Sequence, residues 1–178
     1  MYLRSLDKCL LRIGSYPPFE YDATNGGGAA FILSKEQATT KYLRFDSNTF
    51  KIPPLTWKNT KFLFLPFPPG LKIEMLMDKL DGTWDHSTGN LSLDFEARFV
   101  FSIFRIFHFP SLLVRSSLVT GKVISACFEE EGNVINANGR TKLVGIAVVP
   151  PTGNKILDAF LGLPNEALAV LNCEINGS

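Results

Sequence analysis

The feature that most constrains the fold is a long alternating stretch, LSLDFEARFVFSIFRIFHF, at residues 91–109. Apolar side chains occupy every second position from Leu91 to Ile103. A period of two is typical of a half-buried β-strand, whereas a helix would spread these residues around its whole circumference. We therefore predict one long strand with Phe99 deeply buried on its apolar face. The opposite face carries Ser92, Asp94, Glu96, Arg98 and Ser102.

The far end of this stretch is apolar on both faces, because Phe104 and Ile106 fall in the polar set of positions. We expect this end to be covered on both sides. A strand this long in a small domain has to bend or coil. It therefore favours a strongly curved sheet or a β-barrel over a flat sandwich.

The rest of the chain also favours strands joined by short turns. Residues 71–80 alternate in the same way and are followed by turn residues at 87–90, which predicts a hairpin with the long strand. Residues 155–161 fit a short amphipathic helix between Asn154 and Gly162. A capping box at residues 34–37 predicts one or two further helical turns over 35–41.

These elements predict a single all-β domain over residues 1–178, with about nine strands in a curved antiparallel sheet or β-barrel and one short C-terminal helix. The chain has 178 residues, the length of one domain. It contains fifteen Phe but only two Trp and four Tyr. The Phe side chain has no group that needs a hydrogen bond. The excess of Phe therefore indicates either a large core or a set of side chains that line a site for something apolar.

Charge and cysteine content limit the classes of function. The formal net charge of +1 gives no overall field to steer nucleic acid, and we predict no nucleic-acid partner. Residues 1–11 lack the apolar run of a secretory signal, and no stretch is long enough for a transmembrane segment. Cys9, Cys127 and Cys173 are odd in number and lack C-x-x-C spacing, which suits small buried thiols in a reducing compartment. The alternative, in which two of them form a single disulfide bond, is kept.

The residues that look most chemical lie at 81–88, where Asp81, Asp85 and His86 accompany a Trp and a Ser. A metal needs several such ligands to converge at about 2.0–2.2 Å, and this local cluster consists of ordinary turn residues. We therefore predict no metal, no cofactor and no catalytic site. An enzyme that uses Asp81, Asp85 and His86 is kept as a third hypothesis.

Five prolines between residues 53 and 69 surround the apolar run Phe62–Leu65. Because proline cannot donate to a ladder, this run is either an edge strand or an extended loop. It forms a lid on the core or a protrusion for a protein partner. For the second case, we predict a contact surface made of Trp57, Phe62, Phe64, Phe67 and Leu71.

The alternative hypothesis is a carrier whose curved sheet encloses an apolar ligand such as a lipid or a pigment. The side chains that would line its cavity belong to the two long alternating stretches. These side chains would otherwise simply fill the core. They are Met75, Met77, Phe95, Phe99 and Phe101.

Three segments, at residues 16–28, 144–154 and 160–164, carry a resemblance. Their sequences YPPFEYDATNGGG, VGIAVVPPTGN and FLGLP resemble a group of β-rich proteins of cyanobacteria and plastids that have no assigned activity. The resemblance implies a photosynthetic context. It suggests an accessory subunit or assembly factor of a photosystem, in the plastid stroma or cyanobacterial cytoplasm and peripheral to the thylakoid membrane. Our leading hypothesis is accordingly a non-catalytic domain that docks on a protein partner.

Overall fold

The computed structural model describes residues 1–33, 39–104 and 106–176. Within these residues the chain forms fifteen strands and one short helix, which confirms the predicted all-β class with its C-terminal helix. Several strands have only two to five residues, so their number exceeds the predicted nine. Of the helical turns predicted over 35–41, residues 34–38 lie outside the described part of the chain, and the prediction is wrong at Thr40 and Lys41, which belong to a strand.

Eight strands pair in sequence until the first meets the last, so that the sheet closes into a ring. All of these pairings are antiparallel. In order around the ring, the strands are β1 (Tyr2–Ser5), β4 (Gly27–Leu33), β5 (Thr40–Phe45), β8 (Leu71–Asp85), β9 (Asn90–Ile103), β11 (Leu112–Val119), β14 (Arg140–Val149) and β15 (Asn165–Asn176).

A second arm of the sheet branches from β15 and leaves the ring. It consists of β2 (Cys9–Ile13), β3 (Phe19–Tyr21), β6 (Thr60–Phe62) and β7 (Leu65–Pro66). The other short strands are β10 (Phe107–His108), which pairs with β9, and the separate hairpin of β12 (Lys122–Ile124) and β13 (Glu129–Glu131).

The branch forms because β1 and β2 lie one after the other along β15, with an irregularity between them. Residues 2–5 pair with residues 173–176, and residues 10–13 pair with residues 167–170. At the break, the side-chain amide of Asn172 donates hydrogen bonds to the carbonyls of Asp7 and Lys8, at 3.3 and 2.8 Å. The break directs β1 toward β4 and β2 toward β3.

Ring closure also requires a glycine at position 27. A Cβ at Gly27 would lie 2.0 Å from the carbonyl oxygen of Leu3. The backbone of Gly27 has a φ of +124°, which residues with a side chain rarely adopt. The triple glycine at 26–28, which the sequence predicts as part of a loop, therefore includes the start of β4. The absence of a side chain lets β1 and β4 approach each other.

The predicted alternation of β9 is confirmed. Leu91, Leu93 and Ala97 are buried inside the ring, whereas Ser92 and Arg98 are exposed on its outer face. The charged residues of this outer face pair with neighbouring strands: Glu96 with Arg115, at 2.7 Å, and Arg98 with Asp78, at 2.7 Å.

The predicted extent of this strand is wrong at its far end. The strand ends at Ile103, because Phe104 adopts a φ of +50° and turns the chain back so that β10 pairs with β9. Phe104 and Ile106 are 66% and 74% exposed, so the expected cover on both faces is absent from the described residues. These two apolar side chains belong to a protruding turn.

The helix α1 (Lys155–Leu161) packs against one end of the ring. The side chain of Asn154 caps it by accepting hydrogen bonds from the backbone of Ile156 and Leu157, as the sequence predicts. Leu157 and Leu161 are buried in a cluster that includes Val149 of β14 and residues of β2 and β11. This cluster is one of three into which the core divides.

We expect Gly27→Ala to destabilise the protein by about 2 kcal/mol or more, because the new methyl group meets the Leu3 carbonyl in a strained conformation. Gly121→Ala is the matched control, since a Cβ at that position meets nothing within 4 Å. Urea unfolding of both variants tests this difference. Equal free energies of unfolding would contradict the proposed role of Gly27 in ring closure.

Candidate apolar ligand site

A cavity lies in the middle of the ring, where the three core clusters meet. Its volume is about 90 Å³, measured as the space open to the centre of a water-sized sphere. One water needs only about 10–15 Å³ of such space, so the cavity has room for a small molecule. None of the side chains that line it is charged, and its surface is almost wholly apolar.

The cavity exists because large side chains on one wall face small ones on the other. Phe95 and Phe99 of β9 are half-buried although they point into the ring. Opposite them, β14 and β15 contribute Ala147, Ala167 and Ala169. The methyl side chains of these alanines do not fill the space that leucine or valine would occupy. Well-packed protein interiors rarely contain such unfilled space.

Gly145 belongs to the same small-residue wall. A Cβ there would lie 2.5 Å from the Ser116 hydroxyl and 2.8 Å from a methyl group of Leu118. The glycine therefore lets β14 approach β11 closely. Ser116 donates a hydrogen bond to the carbonyl of Ile146, at 3.1 Å, and this bond joins the two strands.

The five residues predicted to line an apolar site divide into two groups. Met75, Phe95 and Phe99 line the cavity. Met77 is buried in the adjoining core cluster, and Phe101 is half-buried against the other two clusters. Phe99 is not deeply buried as predicted, because the cavity leaves part of its ring without a packing partner.

Sequence reasoning missed three hydroxyl groups in the lining, those of Ser5, Tyr21 and Ser116. Tyr21 lies in a segment with paired prolines and repeated glycines that reads as an irregular loop, and its strand β3 has only three residues. The small side chains of β15 do carry a signal. Ala167, Ala169 and Leu171 alternate with larger or polar residues, as expected for the inner face of a strand.

The five residues predicted as a docking surface do not form one exposed patch. Phe64 is 95% exposed and Trp57 is 53% exposed. Phe62 is half-buried and stacks on Phe19, with ring centroids 4.8 Å apart, and Leu71 is half-buried in the same cluster. The prediction is wrong for Phe67, which is only 2% exposed and packs in the core.

Besides Trp57, the exposed apolar part of this segment is the turn between β6 and β7, formed by Leu63 and Phe64. Their φ values are +53° and +64°, a conformation that Asn and Gly favour and that bulky residues rarely adopt. Both side chains are open to solvent. A second apolar turn exposes Phe104 and Phe107, and the Phe104 amide donates a hydrogen bond to the carbonyl of Gly70, which precedes β8.

Asp81, Asp85 and His86 are not brought together around a reacting centre. Asp81 accepts a hydrogen bond from Tyr42 at 3.3 Å and lies 3.6 Å from Arg44 on the outer face. Asp85 begins the β8–β9 turn, where the hydrogen bond from the Ser87 hydroxyl lowers its pKa. Among the described residues, no three side chains of His, Cys, Asp and Glu lie close enough together to hold a metal ion.

All three cysteines are free thiols. Cys9 and Cys173 are buried as predicted, whereas Cys127 is exposed. Burial raises the pKa of Cys9 to about 11 and raises that of Cys173 as well. Near neutral pH, these two thiols therefore behave as small, uncharged side chains.

We compared the chain with protein-family models, with curated proteins and with solved structures, and none of them matched. The resemblance to β-rich proteins of cyanobacteria and plastids therefore stays a prediction. The one helix described has seven residues, and no helix in the described part of the chain has the length and apolar character needed to cross a membrane.

Proposed function

We propose that this protein binds one small apolar molecule inside its ring of strands. The observation that carries the proposal is the uncharged cavity between the phenylalanines of β9 and the alanines of β14 and β15. Ligand sites are typically concave, mostly apolar and supplied with a few polar groups, and this cavity has each of these properties. Residues from all three core clusters line it, so a ligand would also contribute to the packing of the core.

The seam between β11 and β14 offers the ligand a route into the cavity. These strands share one register pair, Val119 with Val144, whereas β14 and β15 share ten. Few ladder hydrogen bonds make local opening less costly. Because Ser116, Gly145 and Ala147 lie along this seam and also line the cavity, its opening would expose the site.

Ala169→Leu tests the proposal, because the larger side chain fills the cavity. We expect the variant to keep or raise the melting temperature, since it buries apolar surface in empty space. It should weaken the binding of ethylbenzene, a small apolar probe, at least about tenfold. Ligand-observed NMR would measure the binding.

The matched control is Ala29→Leu, the same substitution at an exposed position of ring strand β4. It should leave ethylbenzene binding unchanged. If ethylbenzene does not bind the wild-type protein, or binds Ala169→Leu equally well, the proposal is wrong.

We also propose, as a second function, that the turn at Leu63 and Phe64 docks on a protein partner. The observation in favour is the left-handed conformation of two bulky apolar residues at an exposed tip, which costs about 1–2 kcal/mol per residue. Such a cost at a solvent-exposed position is easier to understand if the side chains contact something else. That this partner is a photosystem at the thylakoid surface rests on the resemblance alone.

The double substitution Leu63→Asn with Phe64→Gly separates folding from docking. Asn-Gly is the preferred pair for this turn, so we expect a melting temperature equal to or above that of the wild type. Native gels of extracts from the source cell should show the wild type in a larger complex and the variant as a free chain. A wild type that always migrates as a free monomer would contradict the docking function.

A further inference from the structure

We infer that the cavity selects an uncharged ligand that carries a hydrogen-bond acceptor, such as a ketone or ester oxygen, and that the Tyr21 hydroxyl donates to this acceptor. The inference rests on the proposed binding of a small molecule in the ring. It goes beyond that proposal by specifying the polar group that the ligand must present and the charge that it must lack.

The first observation is the position of Tyr21. This residue is 7% exposed, lies between Cys9 and Thr60 on the neighbouring strands, and lines the cavity. Its hydroxyl makes no hydrogen bond with any residue in the described part of the chain. It is not sealed off, because Trp84 Nε1 is the one side-chain polar atom in that part that is both fully buried and without a partner. A hydroxyl that lines a cavity without a protein partner is available to a ligand.

Three buried threonine hydroxyls away from the cavity lining make hydrogen bonds within the protein. Thr60 donates to the side chain of Asn59 at 3.2 Å. Thr120 and Thr141 donate to the backbone carbonyls of Leu91 and Asn133, at 3.4 and 2.5 Å. Each of these threonines is satisfied within the protein, whereas the hydroxyls of Tyr21 and Ser5, which line the cavity, bond to no described residue.

The second observation is that the Tyr21 side chain stays neutral. Burial raises its pKa, and the neighbouring thiol of Cys9 raises it further. Near neutral pH, the phenol therefore keeps its proton and acts as a donor. Its natural complement in an apolar cavity is an acceptor on the ligand.

The third observation concerns charge. No Lys, Arg, His, Asp or Glu side chain is among those that line the cavity. An ionised carboxylate bound there would lose its hydration without gaining a counter-charge, which is strongly unfavourable. Ser5, which is 5% exposed, and Ser116 add two further neutral hydroxyls to the lining, and that of Ser116 already donates to the Ile146 carbonyl. The site is thus suited to a neutral oxygen and unsuited to a fatty-acid headgroup.

Three aromatic probes of similar shape separate these requirements. Ethylbenzene has no acceptor, acetophenone has a ketone oxygen, and benzoate has a charged carboxylate at the corresponding position. We would measure the dissociation constant of each by ligand-observed NMR at pH 7.5, with wild-type protein and with Tyr21→Phe. Comparing two probes on two proteins cancels the different cost of removing each probe from water.

We expect Tyr21→Phe to weaken acetophenone about three- to tenfold, the loss of one neutral hydrogen bond, and to leave ethylbenzene unchanged. Benzoate should bind the wild-type protein at least about a hundredfold more weakly than acetophenone. The variant should melt close to the wild-type temperature, because the substitution removes no hydrogen bond to a described residue. Tyr42→Phe is the matched control, since Tyr42 donates to Asp81 outside the cavity.

The outcomes distinguish this inference from the proposed function. If ethylbenzene does not bind the wild-type protein, the binding function itself fails. If ethylbenzene binds but Tyr21→Phe leaves the ratio of the two dissociation constants unchanged, the function stands and the role of Tyr21 is wrong. Benzoate bound as tightly as acetophenone would overturn the requirement for a neutral ligand.

Discussion

The hydrogen bonds of β1 to both of its neighbours hold the ring closed, and the interior of the protein depends on that closure. Four residues of β1 pair with β15 and three pair with β4. Closure removes the two edges that these eight strands would otherwise expose and directs one face of each strand toward a common centre. The glycine at position 27 and the Asn172 amide at the break before β2 supply the local geometry that permits it.

The ring encloses more space than its side chains fill. Clusters of buried apolar residues pack each end and the branching arm, while the middle is bounded by phenylalanines on one side and alanines on the other. Natural cores rarely leave such space, because each unfilled contact forfeits dispersion energy. The small molecule that we propose for this cavity would restore part of the missing contacts.

The strained backbone conformations at the surface lie in exposed turns. Leu63 and Phe64 adopt a left-handed turn in which neither side chain is buried, and Phe104 turns the chain at the end of β9 with a φ of +50°. These turns set the limits of the strands next to them. Their apolar side chains therefore contribute little to the core, and the exposed surface that they form is separate from the cavity.

The sequence by itself determined which faces of the long strands are apolar. The alternation of β9 assigns Leu93 inward and Arg98 outward, since side chains two residues apart share a face of any strand. The short helix could also be predicted, because Asn154 and Gly162 act on their own local backbone. These features depend on residues that are near each other in the chain, and they need no knowledge of distant partners.

Only the tertiary structure decided what the apolar face of β9 meets. Phe99 is half-buried because β14 and β15, far away in sequence, present alanines to it. Likewise, Phe67 is buried by the cluster around β3, whereas Phe64, three residues earlier, is exposed. Tyr21 becomes a candidate ligand contact because strand pairing places a residue of a proline- and glycine-rich segment beside the cavity. A local pattern fixes a residue's direction, but its packing depends on side chains that long-range strand pairing brings together.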